Sequence, residues 1–327
     1  MKKIIFFIIF LCFCLTISIN IKANNDIYVM PGGESIGLKI ETGVEIVGKY
    51  SVSTSDGKKN PWQKSNIEIG DYIEKVNEYN VENNESLLKI LKQLDESSCV
   101  LTIKRNNKLI KTNIDIVKTN TYEPSIGLYV KDKMLGIGTL SFIYDNKFAS
   151  LGHGIYENNE LININQGDLT YSNVVSIKKA TLNQSGEKRA TLASNKIGEI
   201  KTIKDSGVYG VINQKMNKNK IKIADIEDVK CDDAVIYTVI NGNKVETFDI
   251  EIIETKYQNS VNSKGIKIKV TDSVLLSETG GIIQGMSGSP IIQNGELVGV
   301  VSHVTLDNPM IGYAVYAKWM YEDLINY

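Results

Sequence analysis

Apolar and polar positions alternate along most of this chain, and the rhythm changes once. From about residue 27 to 118 the pattern is mixed. Residues 36–40 and 44–48 are short alternating runs that predict strands, and a polar stretch rich in Ser, Lys, Asn and Gly follows over 51–65. A Gly70-Asp71 turn separates two further apolar stretches. Leu87, Leu88, Ile90, Leu91 and Leu94 then recur at three- and four-residue spacings behind Asn84, which predicts a capped helix. Residues 100–104 and 109–116 alternate across Arg105 to Lys108, a hairpin signal. From Thr119 onward the helical period disappears. Short runs such as 126–130, 138–142, 235–240, 248–253, 266–270 and 298–304, punctuated by Gly, Asn, Asp and Ser, predict strands, and only 317–324 suggests a closing helix.

The expected fold class is therefore mainly β: a small α+β domain over residues 24–118 and a β-domain over 119–327. A chain of 327 residues has room for both. Ahead of them, Met1-Lys2-Lys3 and an apolar run over 4–19 predict a signal peptide or membrane anchor within residues 1–23, with Ala23 a possible cleavage position. Either outcome places the body outside the cytoplasm.

Composition narrows the function. Lys plus Arg (37) nearly cancels Asp plus Glu (38), which gives no basic excess for a nucleic-acid backbone. Cys12 and Cys14 fall in the apolar run, so Cys99 and Cys231 alone cannot build a disulfide framework, and a small buried side chain is the plainer role for Cys99. His153 and His303 are the only histidines, too few and too far apart in sequence for the usual catalytic zinc set, and no metal or other cofactor is expected.

The sharpest chemical signal is Gly285-Met286-Ser287-Gly288-Ser289-Pro290. Glycines on both sides of a serine permit a tight turn that exposes its hydroxyl and lets backbone N–H groups converge. In a Gly-x-Ser-Gly-x-Pro turn of the chymotrypsin-like kind, Gly285 and Ser287 would form an oxyanion hole. The strand, turn and strand over 291–301 fit that arrangement. Taking Ser289 as nucleophile and Ser287 as a turn residue is the weaker alternative. A serine hydroxyl needs a base; His153 ends a strand-like run in small residues, whereas His303 follows a buried-looking strand, which favours His153. Spacing alone leaves the orienting carboxylate open among Asp145, Asp205, Asp249, Asp272 and Asp307.

Two resemblances extend these readings. The order of elements over 24–118 resembles a PDZ domain, with Ser35-Ile36-Gly37-Leu38 standing where that family has its carboxylate-binding loop, so a peptide ligand is implied there. The stretch from Thr271 to Pro290, with Leu151-Gly152-His153, Gly136-Ile137-Gly138-Thr139-Leu140 and the preceding module, resembles the SpoIVB sporulation peptidases. That resemblance implies a chymotrypsin-like double β-barrel with His153 as base, Asp272 as triad carboxylate and Ser287 as nucleophile. It also implies self-cleavage and secretion into the space between the forespore and mother-cell membranes. The protein substrate would be the regulatory subunit of a membrane metalloprotease complex, whose release activates a late sigma factor.

Overall fold

The computed structural model describes residues 26–327 apart from 107, 158, 163 and 165. The expected signal or anchor over 1–23, with Cys12, Cys14 and Ala23, lies outside the described residues. Among those described, no helix is long and apolar enough to cross a membrane.

The chain opens with β1 (Tyr28–Pro31) and the long strand β2 (Ser35–Lys49). The two halves of β2 serve different cores. Ile36, Leu38 and Ile40 pack into one cluster, while Val44 and Ile46 pack into another. After Lys49 the chain builds a small module from β3 (Tyr72–Val76), α1 (Asn84–Gln93), β4 (Ser98–Arg105) and β5 (Lys108–Asp115). Its sheet runs β2-β3-β4-β5, and Leu87 and Leu91 of α1 lie over Ile73, Leu101 and Ile103. Helix α1 is capped by Asn83, one residue before the expected Asn84. Asn83 Oδ1 accepts from the Ser86 N–H at 2.9 Å and Ser86 Oγ accepts from the Asn83 N–H at 3.0 Å, a reciprocal box that satisfies two end groups. Cys99 is buried in this core, unpaired, and burial pushes its thiol up to about 12; Cys231 is exposed and also free.

Past the module come β6 (Leu128–Tyr144), β7 (Lys147–Ser150), β8 (Gln166–Lys178), β9 (Glu187–Lys204) and β10 (Gly207–Ile212). Every pairing in the ring β2-β6-β7-β10-β9-β8 is antiparallel, and β8 returns to β2, so six strands close a barrel. A second closed barrel is wound from β11 (Asp233–Thr238), β12 (Glu246–Thr255), β13 (Ile266–Val270), β14 (Pro290–Gln293), β15 (Glu296–Val304) and β16 (Ile311–Tyr316). Helix α2 (Ser273–Thr279) follows β13, and α3 (Ala317–Ile325) closes the chain where a helix is expected. Met320 and Leu324 of α3 join Phe142 and Tyr209 of barrel one and Val300 and Val315 of barrel two in a shared apolar layer. The mainly β, double-barrel class expected from the sequence is the observed one.

One expectation is corrected. Ser35-Ile36-Gly37-Leu38 forms the start of β2 inside barrel one and makes no open loop. These residues are buried, and Gly37 is paired with Ile137 on one side and Thr170 on the other. An N–H held in a ladder cannot bind a guest carboxylate. The unit boundary moves accordingly: β2 supplies one stave of barrel one, β1 pairs with β6 beside it, and the small module is inserted between β2 and β6.

Candidate active site

The two barrels meet along a seam where strand ends carry the polar groups. From barrel two comes the turn over residues 284–289. Gly285 and Gly288 adopt φ of +92° and +99°, which side-chain-bearing residues rarely do. Any β-carbon on Gly288 would lie 2.0 Å from the Thr139 carbonyl oxygen and 2.7 Å from the Leu151 nitrogen, so glycine here allows the turn to press directly onto barrel one. Thr139 of β6 fastens it. Its N–H donates to the Ser287 carbonyl at 2.9 Å and its Oγ1 donates to the Gly285 carbonyl at 2.8 Å. On the far side, the Gly288 N–H donates to the Val301 carbonyl at 2.8 Å.

With those groups committed, the N–H groups of Gly285 and Ser287 donate no hydrogen bond to any partner among the described residues. Two uncommitted donors thus sit on the turn that carries the half-buried Ser287 side chain. Its Oγ donates to the Ser302 carbonyl of β15 at 3.2 Å. Ser289 is fully buried and its N–H is taken by the Met286 carbonyl, so the alternative nucleophile is closed off from any substrate.

Barrel one contributes His153. Strand β7 ends at Ser150, and Leu151 and Gly152, at φ of +70° and +71°, turn the chain against Val300 and Val301 of β15. His153 follows immediately. Its Nδ1 shares a 2.7 Å hydrogen bond with the Gly154 carbonyl, and burial, partly offset by that bond, pulls its pKa below the usual value. His303 of β15 stands beside it with ring centroids 5.4 Å apart. Burial first, then the His153 and Lys264 charges, lowers His303 to about 4, and its Nδ1 is buried with no partner among the described residues. His303 is therefore neutral over the physiological range.

Asp272 opens α2. Its Oδ1 accepts from the Leu275 N–H at 2.8 Å and caps α2, and its Oδ2 accepts weakly from the Asp249 N–H at 3.4 Å. Among the described residues, neither a hydrogen bond nor a charge effect links this or any other carboxylate to His153. The fold thus brings Ser287, His153 and the paired donors to one seam, and gives Asp272 a cap to make.

Lys188 of β9 is a site neighbour that sequence reasoning missed. It is wholly buried, donates from Nζ to Thr238 Oγ1 at 2.8 Å, and its stem lies 3.1 Å from where a β-carbon on Gly285 would sit. Its N–H also holds the Gln284 carbonyl at 2.9 Å. Burial lowers its amine to about 7. A lysine between Glu187 and Arg189 has the sequence signature of a solvated strand face, so only the pairing of β9 with residue 284 reveals it.

Residues 120–321 match the family model described as SpoIVB peptidase S55. No curated protein matches the chain. Among solved structures, the chain is similar to the Rv3671c protease of M. tuberculosis in its active form, at 16% identity over 58% of this chain and 72% of that one, with a TM-score of 0.33. An inactive serine-to-alanine mutant of the same protein matches at 16% identity over 58% and 80% of the two chains, with a TM-score of 0.34. Since the family model takes in more than half of the sequence, the chain belongs to the SpoIVB peptidase S55 family and is a serine peptidase.

Proposed function

We propose that the chain is an exported, self-cleaving endopeptidase that signals in sporulation by cleaving the regulator of a membrane metalloprotease complex, with Ser287 as nucleophile and His153 as base. The observation that carries the chemical part is the pair of uncommitted N–H groups at Gly285 and Ser287, on a turn that packs against Leu151, two residues before His153. Ser287 attacks the peptide carbonyl as His153 takes its proton, and the two N–H groups receive the oxyanion. One such donor is worth about 3 kcal/mol in a water-excluded site. Export, the protein substrate and the sporulation role follow from the family resemblance. A peptide ligand for the inserted module belongs to the same proposal, at a surface other than residues 35–38.

A second reading is favoured by one observation: Ser287 Oγ is bonded to Ser302 and His153 Nδ1 to Gly154, so the described bonds do not join serine to imidazole. On that reading the double barrel is a non-catalytic exported scaffold. Labelling of the full chain by a fluorophosphonate probe decides between them. Labelling and self-cleavage that both vanish in Ser287→Ala establish the peptidase mechanism; labelling that persists in Ser287→Ala, or is absent from the unmodified chain, refutes it.

A further inference from the structure

The two donors of the serine turn are aimed by whatever holds the carbonyl at the other side of each peptide group, because a trans peptide points its C=O and N–H in opposite directions. The Met286 carbonyl shares a group with the Ser287 N–H. It accepts from the Ser289 N–H at 2.9 Å, so that donor is set from within the turn. The Gln284 carbonyl shares a group with the Gly285 N–H and accepts from the Lys188 N–H at 2.9 Å, so that donor is set from barrel one. Gly285, at φ of +92°, has no side chain to resist rotation of the group before it. The hold therefore comes from β9.

Three further features build that hold around Lys188. The Gln284 N–H donates to the Gly186 carbonyl at 3.0 Å, so both main-chain groups of Gln284 are bonded to β9 and the residue before it. Beneath the turn, Cβ, Cγ and Cδ of Lys188 lie 3.1 to 3.2 Å from where a β-carbon on Gly285 would sit. At the end of this stem, the buried Nζ donates to Thr238 Oγ1 of β11 at 2.8 Å and so anchors the side chain in barrel two. Burial lowers the amine to about 7, so above that pH the anchor is an amine–hydroxyl bond with no buried charge.

We propose that Lys188 is the positioning residue for the Gly285 donor: its N–H aims the 284–285 peptide group at the substrate carbonyl, and its stem, pinned to Thr238, keeps β9 seated beneath the turn. Rotation of that group would present a carbonyl dipole to the developing negative charge in place of a donor. The inference rests on Ser287 being the nucleophile and on the Gly285 and Ser287 N–H groups receiving the oxyanion. When the Ser287 oxygen bonds to the peptide carbon and its proton passes to His153, the carbonyl electron pair moves onto oxygen, where the two N–H groups meet it. Lys188 transfers no proton and acts only through Gly285.

The test is fluorophosphonate labelling of the full chain above about pH 7, where the amine is neutral, with melting temperature measured alongside. Labelling is resolved into probe affinity and maximal rate. The phosphonyl oxygen takes the place of the oxyanion, so the maximal rate reads the donors and the affinity reads the rest of the cleft. Lys188→Ala removes the stem beneath Gly285 and the tie to Thr238. It is expected to lower the maximal rate on the order of 10²-fold, the scale of one lost donor, with affinity held within about threefold. Lys188→Met keeps an unbranched stem and should recover about tenfold or more of that loss. A lysine that only packs the seam would lower the melting temperature in Lys188→Ala and leave both labelling constants of the folded protein unmoved. That outcome overturns the proposal, as does a loss that Lys188→Met fails to recover. If Lys188→Ala does not fold, Lys188→Val, suited to a strand and lacking Cδ, carries the same expectations and the same refutations. Absence of Ser287-dependent labelling in the unmodified chain overturns the serine mechanism itself, whereas its presence with an indifferent Lys188→Ala overturns this assignment alone.

Discussion

The two barrels reach the same closed form by different routes. Barrel two is wound from one continuous stretch, β11 to β16, interrupted only by turns and α2. Barrel one takes its first stave, β2, from before the inserted module and the other five from after it. The family match begins at residue 120, so that first stave lies outside it. Such an excursion is thermodynamically tolerable, because loop-closure cost grows only logarithmically with length and the module folds around its own core. It makes the two halves of the site unequal. The serine turn belongs to the continuous barrel, although Thr139 of barrel one fastens it; the histidine barrel closes only if β2 docks. The β2-β6 ribbon runs from Lys49 and Leu128 in the module to Ser35 and Thr139 at the seam, and Thr139 is the residue that fastens Ser287 and Gly285. One ribbon thus joins the module to the oxyanion turn.

The sharpest way to break this comparison is Gly37→Val. A β-carbon there would sit 2.3 Å from Leu192 Cδ2 and 2.8 Å from Thr170 Oγ1, deep between β2, β8 and β9. Overpacking of this kind costs about 3 kcal/mol, and it strikes the stave on which barrel one depends. The expected outcome is a large fall in melting temperature with loss of labelling at Ser287. A carboxylate-binding loop at Gly37 would instead have left Ser287 reactive. Gly136→Ala on the same ribbon is the control: its new carbon meets only Leu38 atoms at 3.9 Å, ordinary contact, and labelling should persist.

The contrast also explains what was legible in the sequence. The Ser287 turn and its following hairpin, β14 and β15, were readable because glycines, serine and proline at fixed offsets encode a local turn. His153 was readable as a strand end for the same reason. Alternation of Ile36, Leu38 and Ile40 marks a buried face, but nothing in it says which sheet receives that face. That choice is made by β6 and β8, about a hundred residues away. The bond from the Gly154 N–H to the Asp205 carbonyl, 3.0 Å long, and the burial of Lys188 are equally products of long-range pairing. Five aspartates looked alike because their difference lies in neighbours and not in spacing.

Lys188 sharpens the comparison from inside the seam, since it reaches from barrel one under Gly285 to Thr238 of barrel two. Its amine is lowered from 10.5 to about 7 by burial. Between those values the unfolded chain holds the proton and the folded chain does not, so this group makes stability rise as pH increases from about 7 towards 10.5. Below about 7 both states are protonated and the full penalty of the buried charge is felt. Lys188→Met keeps the stem and removes the charge. Denaturant unfolding at pH 6 and pH 9 should show a flatter dependence in the variant, with its relative advantage greatest at the lower pH; an unchanged slope would mean the amine reaches water.

The smallest expected effect isolates the role of Asp272 in barrel two. The bond from the Leu275 N–H satisfies one orphan donor of α2, and removing such a cap costs about 1 kcal/mol. Asp272→Ala should therefore lower unfolding free energy by about that amount, while Asp272→Asn, whose amide oxygen can accept the same bond, should leave it within a few tenths. If Asp272 acts only on α2, the pair will separate in stability and coincide in labelling rate, because the serine turn is held by Thr139 and Val301 and not by the helix start. Should both variants lose labelling together while only the alanine form loses stability, the carboxylate charge of Asp272 acts on the site through barrel two. The base would then be served from the continuous barrel rather than from the interrupted one.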